Sequence, residues 1–155
     1  MTARPPIELV PGAMAHAGNL APRLRRIDRI ECEAMGQTGA QALHHGLAAS
    51  AQTWTALIDG APQAMFGVVV ACATSGEAIP WFLGSTRVAS EARALIGLGP
   101  DIIAAMHRHG RCLRNFVSCD NRAAIRLLEH WGFFVEPDPI AVRGIAFRRF
   151  IRESV

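Results

Sequence analysis

The stretch Asn121-Arg-Ala-Ala-Ile-Arg-Leu-Leu-Glu-His-Trp-Gly132-Phe133 decides the reading of the fold. Asp120-Asn121 supplies a helix cap, since a short polar side chain can accept from the free amides of a first turn. Ala124, Ile125, Leu127 and Leu128 follow at helical spacing. Gly132 suits the left-handed residue that closes a helix, and Phe133 opens a strand. Ala124 adds a small side chain where a ligand or strand could approach closely. The segment therefore reads as a capped amphipathic helix delivered from one strand into another.

Working outward, Cys112 to Cys119 reads as a strand carrying Leu113, Phe116 and Val117. Before it, Glu91 to Ile96 looks helical, Gly97-Leu98-Gly99-Pro100 predicts a break, and a new helix is expected from Asp101 to about His109. After the deciding segment, Pro137 and Pro139 mark a loop and Ile145 to Ile151 a last strand. The first half holds a short strand at Ile7 to Val10, then a helix capped by Asn19 with Leu20, Leu24, Ile27 and Ile30 at helical spacing. A shorter helix follows from about Ala40 to Ala49. Thr53 to Ile58, Ala64 to Ala73 and Ile79 to Leu83 read as a meander of three strands, turned at Asp59-Gly60 and Ser75-Gly76. No repeat, linker or low-complexity run interrupts the order. The expectation is one α/β (α+β) domain over residues 1–155, a mixed sheet covered by helices.

Composition bounds the function. With 50% hydrophobic and 19% charged residues over 155, the chain can bury a core and is not a disordered or fibrous sequence. No apolar run approaches the roughly 20 residues that cross a bilayer. The first residues lack the charged-then-apolar pattern of a leader, so the chain is expected not to be exported. A net charge of +3 without any block of like charges argues against a nucleic-acid partner. Arg23, Arg25, Arg26 and Arg29, interleaved with Asp28, Glu31 and Glu33, read as a solvated helix face rather than a phosphate-binding one. The spacing of Cys32, Cys72, Cys112 and Cys119 fits no zinc pattern and predicts reduced thiols. Every basic residue is arginine, and tyrosine is absent.

Asn121, Ala124, Ile125, Leu127, Gly132 and Phe133 fall in the register of a signature that resembles the GNAT superfamily of acyl-CoA N-acyltransferases. The order of a strand at Trp81–Leu83, a glycine segment, a helix, a strand at Leu113–Val117 and the Asn121 helix is also similar to that family's order. The resemblance implies a mostly antiparallel sheet with one parallel pair, Ile79–Leu83 beside Leu113–Val117, splaying apart. It further implies a site for acetyl-CoA or coenzyme A. Backbone groups of Phe82 and Leu83 would pair with the pantetheine arm, amides near Gly97 and Gly99 would hold the pyrophosphate, and Asn121 would help place the thioester. Two positions depart from the pattern. Ala94 stands where the loop usually carries Gln or Arg, and Leu128 where many members carry a tyrosine that protonates the leaving thiolate. Ser118, Cys119 and His130 are substitutes for that acid outside the family's positions, and Glu77 is the candidate base.

Four further pieces, Pro80–Thr86, Leu113–Val117, Asn121–Phe133 and Gly144–Phe150, look like a narrower family. These are acetyltransferase-like internal virion or morphogenesis proteins of short-tailed bacteriophages. That resemblance covers about residues 30 to 152. It implies a virion or virion-assembly protein with a degenerate acyl-CoA site, found in the host cytoplasm or the particle. Its partners would be phage structural or assembly proteins, or a second copy of the chain. The alternative is an active acetyl-CoA-dependent N-acetyltransferase acting on an amine. Trp54, Trp81 and Trp131 are expected in packing, His107 and His109 exposed at a helix end, and Arg148, Arg149 and Arg152 along a basic sheet edge.

Overall fold

A computed structural model describes residues 6–155; the residues read for a leader at positions 1–5 lie outside them. The chain runs β1 (Glu8–Pro11), α1 (Met14–Leu20), a 3₁₀ turn (Ala21–Arg23), α2 (Arg26–Ala34), α3 (Gly39–Ala49), then β2 (Gln52–Ile58), β3 (Ala61–Cys72) and β4 (Glu77–Gly84). There follow α4 (Thr86–Ala89), α5 (Ala92–His107), β5 (Cys112–Ser118), α6 (Arg122–His130), β6 (Phe134–Val135), β7 (Ile140–Val142) and β8 (Ile145–Glu153). The eight strands of the described residues join one sheet in the order β1-β2-β3-β4-β5-β8-β6, with β7 also paired to β8. Every pairing is antiparallel except β4 with β5. This is the mixed sheet flanked by helices that the sequence predicts.

The meander forms as read. Asp59 and Gly60 both take positive φ (50° and 78°), the geometry of a tight two-residue hairpin turn, and register runs from Ile58 with Ala61 upward. Alternation along β4 splits the core. Ala78 and Phe82 join Phe66, Val68, Ile102 and Leu113 on the α5–α6 side of the sheet. Trp81 and Leu83 join Met65, Leu20, Leu43 and Cys32 on the α1–α3 side.

Four expectations are corrected. The single helix led by Asn19 is two, because Pro22 and an extended Leu24 (ψ 144°) interrupt the chain, and Asn19 lies inside α1. The expected break at Gly97–Pro100 is absent, and α5 runs through it with Pro100 in its interior. The reason is burial. Leu95, Ile102, Ile103 and Met106 sit on one face of a continuous helix and are all buried. Each large apolar side chain contributes about 1.5–3 kcal/mol, which together outweigh the roughly 3 kcal/mol cost of an interior proline. Finally, β8 is not an edge: it lies between β5 and β6. Arg148 donates to Glu136 and Val135 carbonyls, Arg149 pairs with Glu136, and Arg152 donates to the Trp131 carbonyl. His107 and His109 are likewise half-buried, His107 bonded to Gly110 O and facing Arg152, His109 bonded to Gln52.

Candidate active site

β4 and β5 are bonded only at their starts, Glu77 with Cys112 and Ala78 with Leu113. Beyond that point they diverge. Asn115 reaches across the gap, its Nδ2 donating to Pro80 O at 2.8 Å while its Oδ1 accepts from the Phe116 amide. Pro80 has no N–H to give, so no ladder bond is lost there. At the far end, Gly84 gives its N–H to Asp28 Oδ2 (2.9 Å) and its carbonyl to the Arg25 N–H, whereas Ser85 N–H turns the other way, to Gln63 O on β3. The two-residue alternation therefore turns the Phe82 N–H and C=O into the wedge. Leu83 faces the other way; its backbone lies in register with Met65 of β3. Only Phe82 of the two keeps an unpaired edge, and Leu83 contributes its side chain.

The wedge opens into a cleft of about 380 Å³ that passes through the sheet. Ala92 and Leu95 of α5 and Ala124, Leu127 and Leu128 of α6 line one side; Cys32 of α2, Met35 just past its end and Ala42 of α3 line the other. A volume of this size is typical of a small-molecule site. Asn121 borders the cleft and caps α6, its Oδ1 accepting from the Ala124 amide at 3.4 Å. Gly97 and Gly99 do not border it. Gly97 faces open space on α5, and Gly99 is buried where a Cβ would lie 2.3 Å from Trp131 Cδ1. Glycine at 99 serves helix packing, and the indole N–H of Trp131 donates to Leu95 O across the same contact. The glycine loop expected to hold pyrophosphate is thus not formed. The free amides of that region belong to the first turn of α5, beginning at Ala92.

The open end of the wedge is bridged by a polar network the sequence reading did not assemble. Asp28, Glu31, Cys32 and Met35 recur at the three- and four-residue spacing that puts them on one face of α2. Arg25 binds Asp28 at 2.7 Å and Asn121 Oδ1 at 3.3 Å. Glu31 accepts from the Ser118 amide at the end of β5 (2.7 Å) and from Asn121 Nδ2 (2.9 Å). Gly84 of β4 and Ser118 of β5 are thereby joined through α2. Arg25, Asp28 and Glu31 are not the solvated face expected of them; Arg26 and Arg29 are. Burial pushes the Glu31 carboxyl up to about 7, with the nearby Asp28 charge adding to it, against the pull of its two donors and of Arg25. A carboxyl that changes charge near neutrality beside a cleft has the properties of a general base. The signal was present as Arg25-x-x-Asp28-x-x-Glu31, but only the tertiary position of α2 gives it meaning.

The other titratable candidates lie elsewhere. Glu77 pairs with Arg114 at the closed base of the wedge. His130 is exposed at the far end of α6. Ser118 is buried with its Oγ accepting from the Asp120 amide, and neither it nor Cys119 lines the cleft. Leu128 lines the α6 wall as an apolar residue. Among the described residues no helix is long and apolar enough to cross a membrane.

No protein-family model matches this sequence, and neither does any curated protein. Solved structures do match. A GCN5-related N-acetyltransferase from Kribbella flavida superposes with a TM-score of 0.71 at 16% identity, over 96% of this chain and 98% of that one. The aminoglycoside acetyltransferase AAC(6')-Ib, in complex with ribostamycin and coenzyme A, gives 0.67 at 15% identity over 95% and 93%. The structure of yncA from Salmonella typhimurium, with its cofactor acetyl-CoA, gives 0.60 at 12% over 96% and 94%. The chain has the GNAT fold.

Proposed function

We propose that this protein is an acetyl-CoA-dependent N-acyltransferase acting on an amine. The observation that carries the reading is the diverging β4–β5 pair, whose free edge at Phe82 opens on the same cleft as Glu31. The neighbours bound to coenzyme A or acetyl-CoA support it. The residues present fit such a group in part. An extended arm carrying amides can bond the Phe82 N–H and C=O as a further strand would, with Leu127 and Leu128 packing its apolar portion. Phosphate oxygens would meet the first-turn amides of α5, where the helix end is positive; the Gly97–Gly99 segment gives them nothing.

Bound acetyl-CoA supplies an acyl group activated as a thioester. Glu31, whose carboxyl is raised by burial to about 7, takes the proton that an attacking ammonium must lose. Asn121 and the Ser118 amide hold that carboxylate in place, and Arg25 holds Asn121. The α6 wall gives no proton, so the sulfur would leave as the thiolate, a weak base whose conjugate thiol has a pKa of about 8.5.

Calorimetry with acetyl-CoA tests the reading, followed by detection of released thiol with an amine present. Micromolar binding and amine-dependent release are expected. A second reading, a virion or assembly protein whose partners are phage structural proteins or a second copy, is favoured by Leu128 and by the missing glycine loop. It requires the absence of any heat on adding acetyl-CoA.

A further inference from the structure

The two mouths of the cleft differ in chemistry. On the α2–α3 side the walls are Val69, Ile79, Trp81 and Phe116 from the sheet and Met35 and Ala42 from the helices. Met35 (46% exposed) and Phe116 (39%) stand at the rim. Trp81 is fixed: its indole N–H donates to Ser50 Oγ at 2.7 Å and its ring lies where a Cβ on Gly46 would be, 2.6 Å from Cζ2. The polar side chains at this rim are Gln37 and His45. Of the two carboxylates on the cleft, Asp28 is committed to Arg25 and to the Gly84 amide. Glu31 is bonded to the Ser118 amide and to Asn121 Nδ2 but, among the described residues, is ion-paired with none, so it is the acid that an incoming cation meets; Arg25 stands beside it.

Resting on the acyl-transfer reading, we propose that the acceptor is a small primary amine with one positive charge and an aromatic or aliphatic side group, and that polycations are excluded. The apolar walls remove such a side group from water, and the faces of Trp81 and Phe116 attract a lone ammonium. A second or third ammonium would lose hydration with no carboxylate to replace it. The cleft of about 380 Å³ is shared with the acyl-bearing arm, which favours a small side group.

The test uses the full chain saturated with acetyl-CoA. Tryptophan fluorescence follows titration with phenethylamine, hexylamine, spermidine and an aminoglycoside, and thiol release gives kcat/KM on the same panel. Phenethylamine is expected to bind tighter, and to react with a kcat/KM at least tenfold above spermidine. Met35→Glu and Phe116→Asp each bring a second carboxylate to an exposed rim position. Both should weaken phenethylamine and strengthen spermidine, shrinking that ratio at least threefold. If acetyl-CoA binds but phenethylamine binds no better than spermidine or the aminoglycoside, the acceptor assignment is overturned and acyl transfer stands. If calorimetry shows no acetyl-CoA binding, the acyl-transfer reading fails and takes this proposal with it.

Discussion

Replacing Glu31 with glutamine should remove one pH-dependent component of stability. Burial raises the carboxyl from 4.5 to about 7 in the folded chain. A folded-state value above the unfolded one means that the native state binds the proton more tightly. The stabilisation is complete below about pH 4.5 and is lost as pH rises through about 7. At about 1.4 kcal/mol per unit, the shift is worth about 3 kcal/mol. Glutamine cannot ionise. Its one acceptor can serve the Ser118 amide or Asn121 Nδ2 but not both, a loss of about 1–3 kcal/mol that does not vary with pH. Urea unfolding of both proteins from about pH 4 to pH 8 isolates the effect, since other groups titrate alike in each. The difference in unfolding free energy should move by about 3 kcal/mol in the variant's favour as pH rises. Parallel curves would refute the placement of Glu31. The same variant should lose about 10²- to 10⁴-fold in acyl transfer, along with the acid limb of the pH–rate profile near 7.

Further outcomes follow from particular contacts. Gly97→Ala, in the interior of α5 facing open space, should raise stability by about 1 kcal/mol in urea unfolding and leave acetyl-CoA affinity unchanged; weakened affinity would restore a phosphate loop there. Gly99→Val must displace Trp131 and should lower stability by at least 1–3 kcal/mol. Asn121→Ala should cost about 1–3 kcal/mol, losing the α6 cap and the bonds to Glu31 and Arg25; a cost below about 0.5 kcal/mol would sink the network. Cys72 is half-buried at the end of β3 and hydroxyl donors lower it to about 7, whereas Cys32 is buried and burial pushes it up to about 12. Iodoacetamide followed by peptide mapping should modify Cys72 first and Cys32 last.

The sequence was most legible where local rules and tertiary packing agree. Asp59-Gly60 and Gly132 adopt the left-handed geometry their types favour, and the strands around the one and the helix and strand around the other form as read. The splayed pair came from the family resemblance, which rests partly on element order, and order survives when individual residues drift. The misreadings share one cause. Pro100 and its flanking glycines signal a break locally, and the buried stripe from Leu95 to Met106 overrides it. β7 went unread because Arg143-Gly144 is a weaker hairpin signal than Asp59-Gly60, although both residues take positive φ. The site divides the same way. Phe82, Leu83 and Asn121 lie on the cleft, carried there by strand and cap geometry. Glu31 could not be found from spacing alone, because its neighbours Ser118 and Asn121 are 87 and 90 residues away.

The central claim is that the diverging strands leave Phe82 with backbone groups for an extended cofactor arm. Amide hydrogen exchange at Phe82, followed by NMR with and without acetyl-CoA, tests it most directly. The account predicts fast exchange in the free protein and strong slowing on binding, while Leu83, in register with β3, is protected in both states. An unchanged Phe82 amide at saturating acetyl-CoA would contradict it.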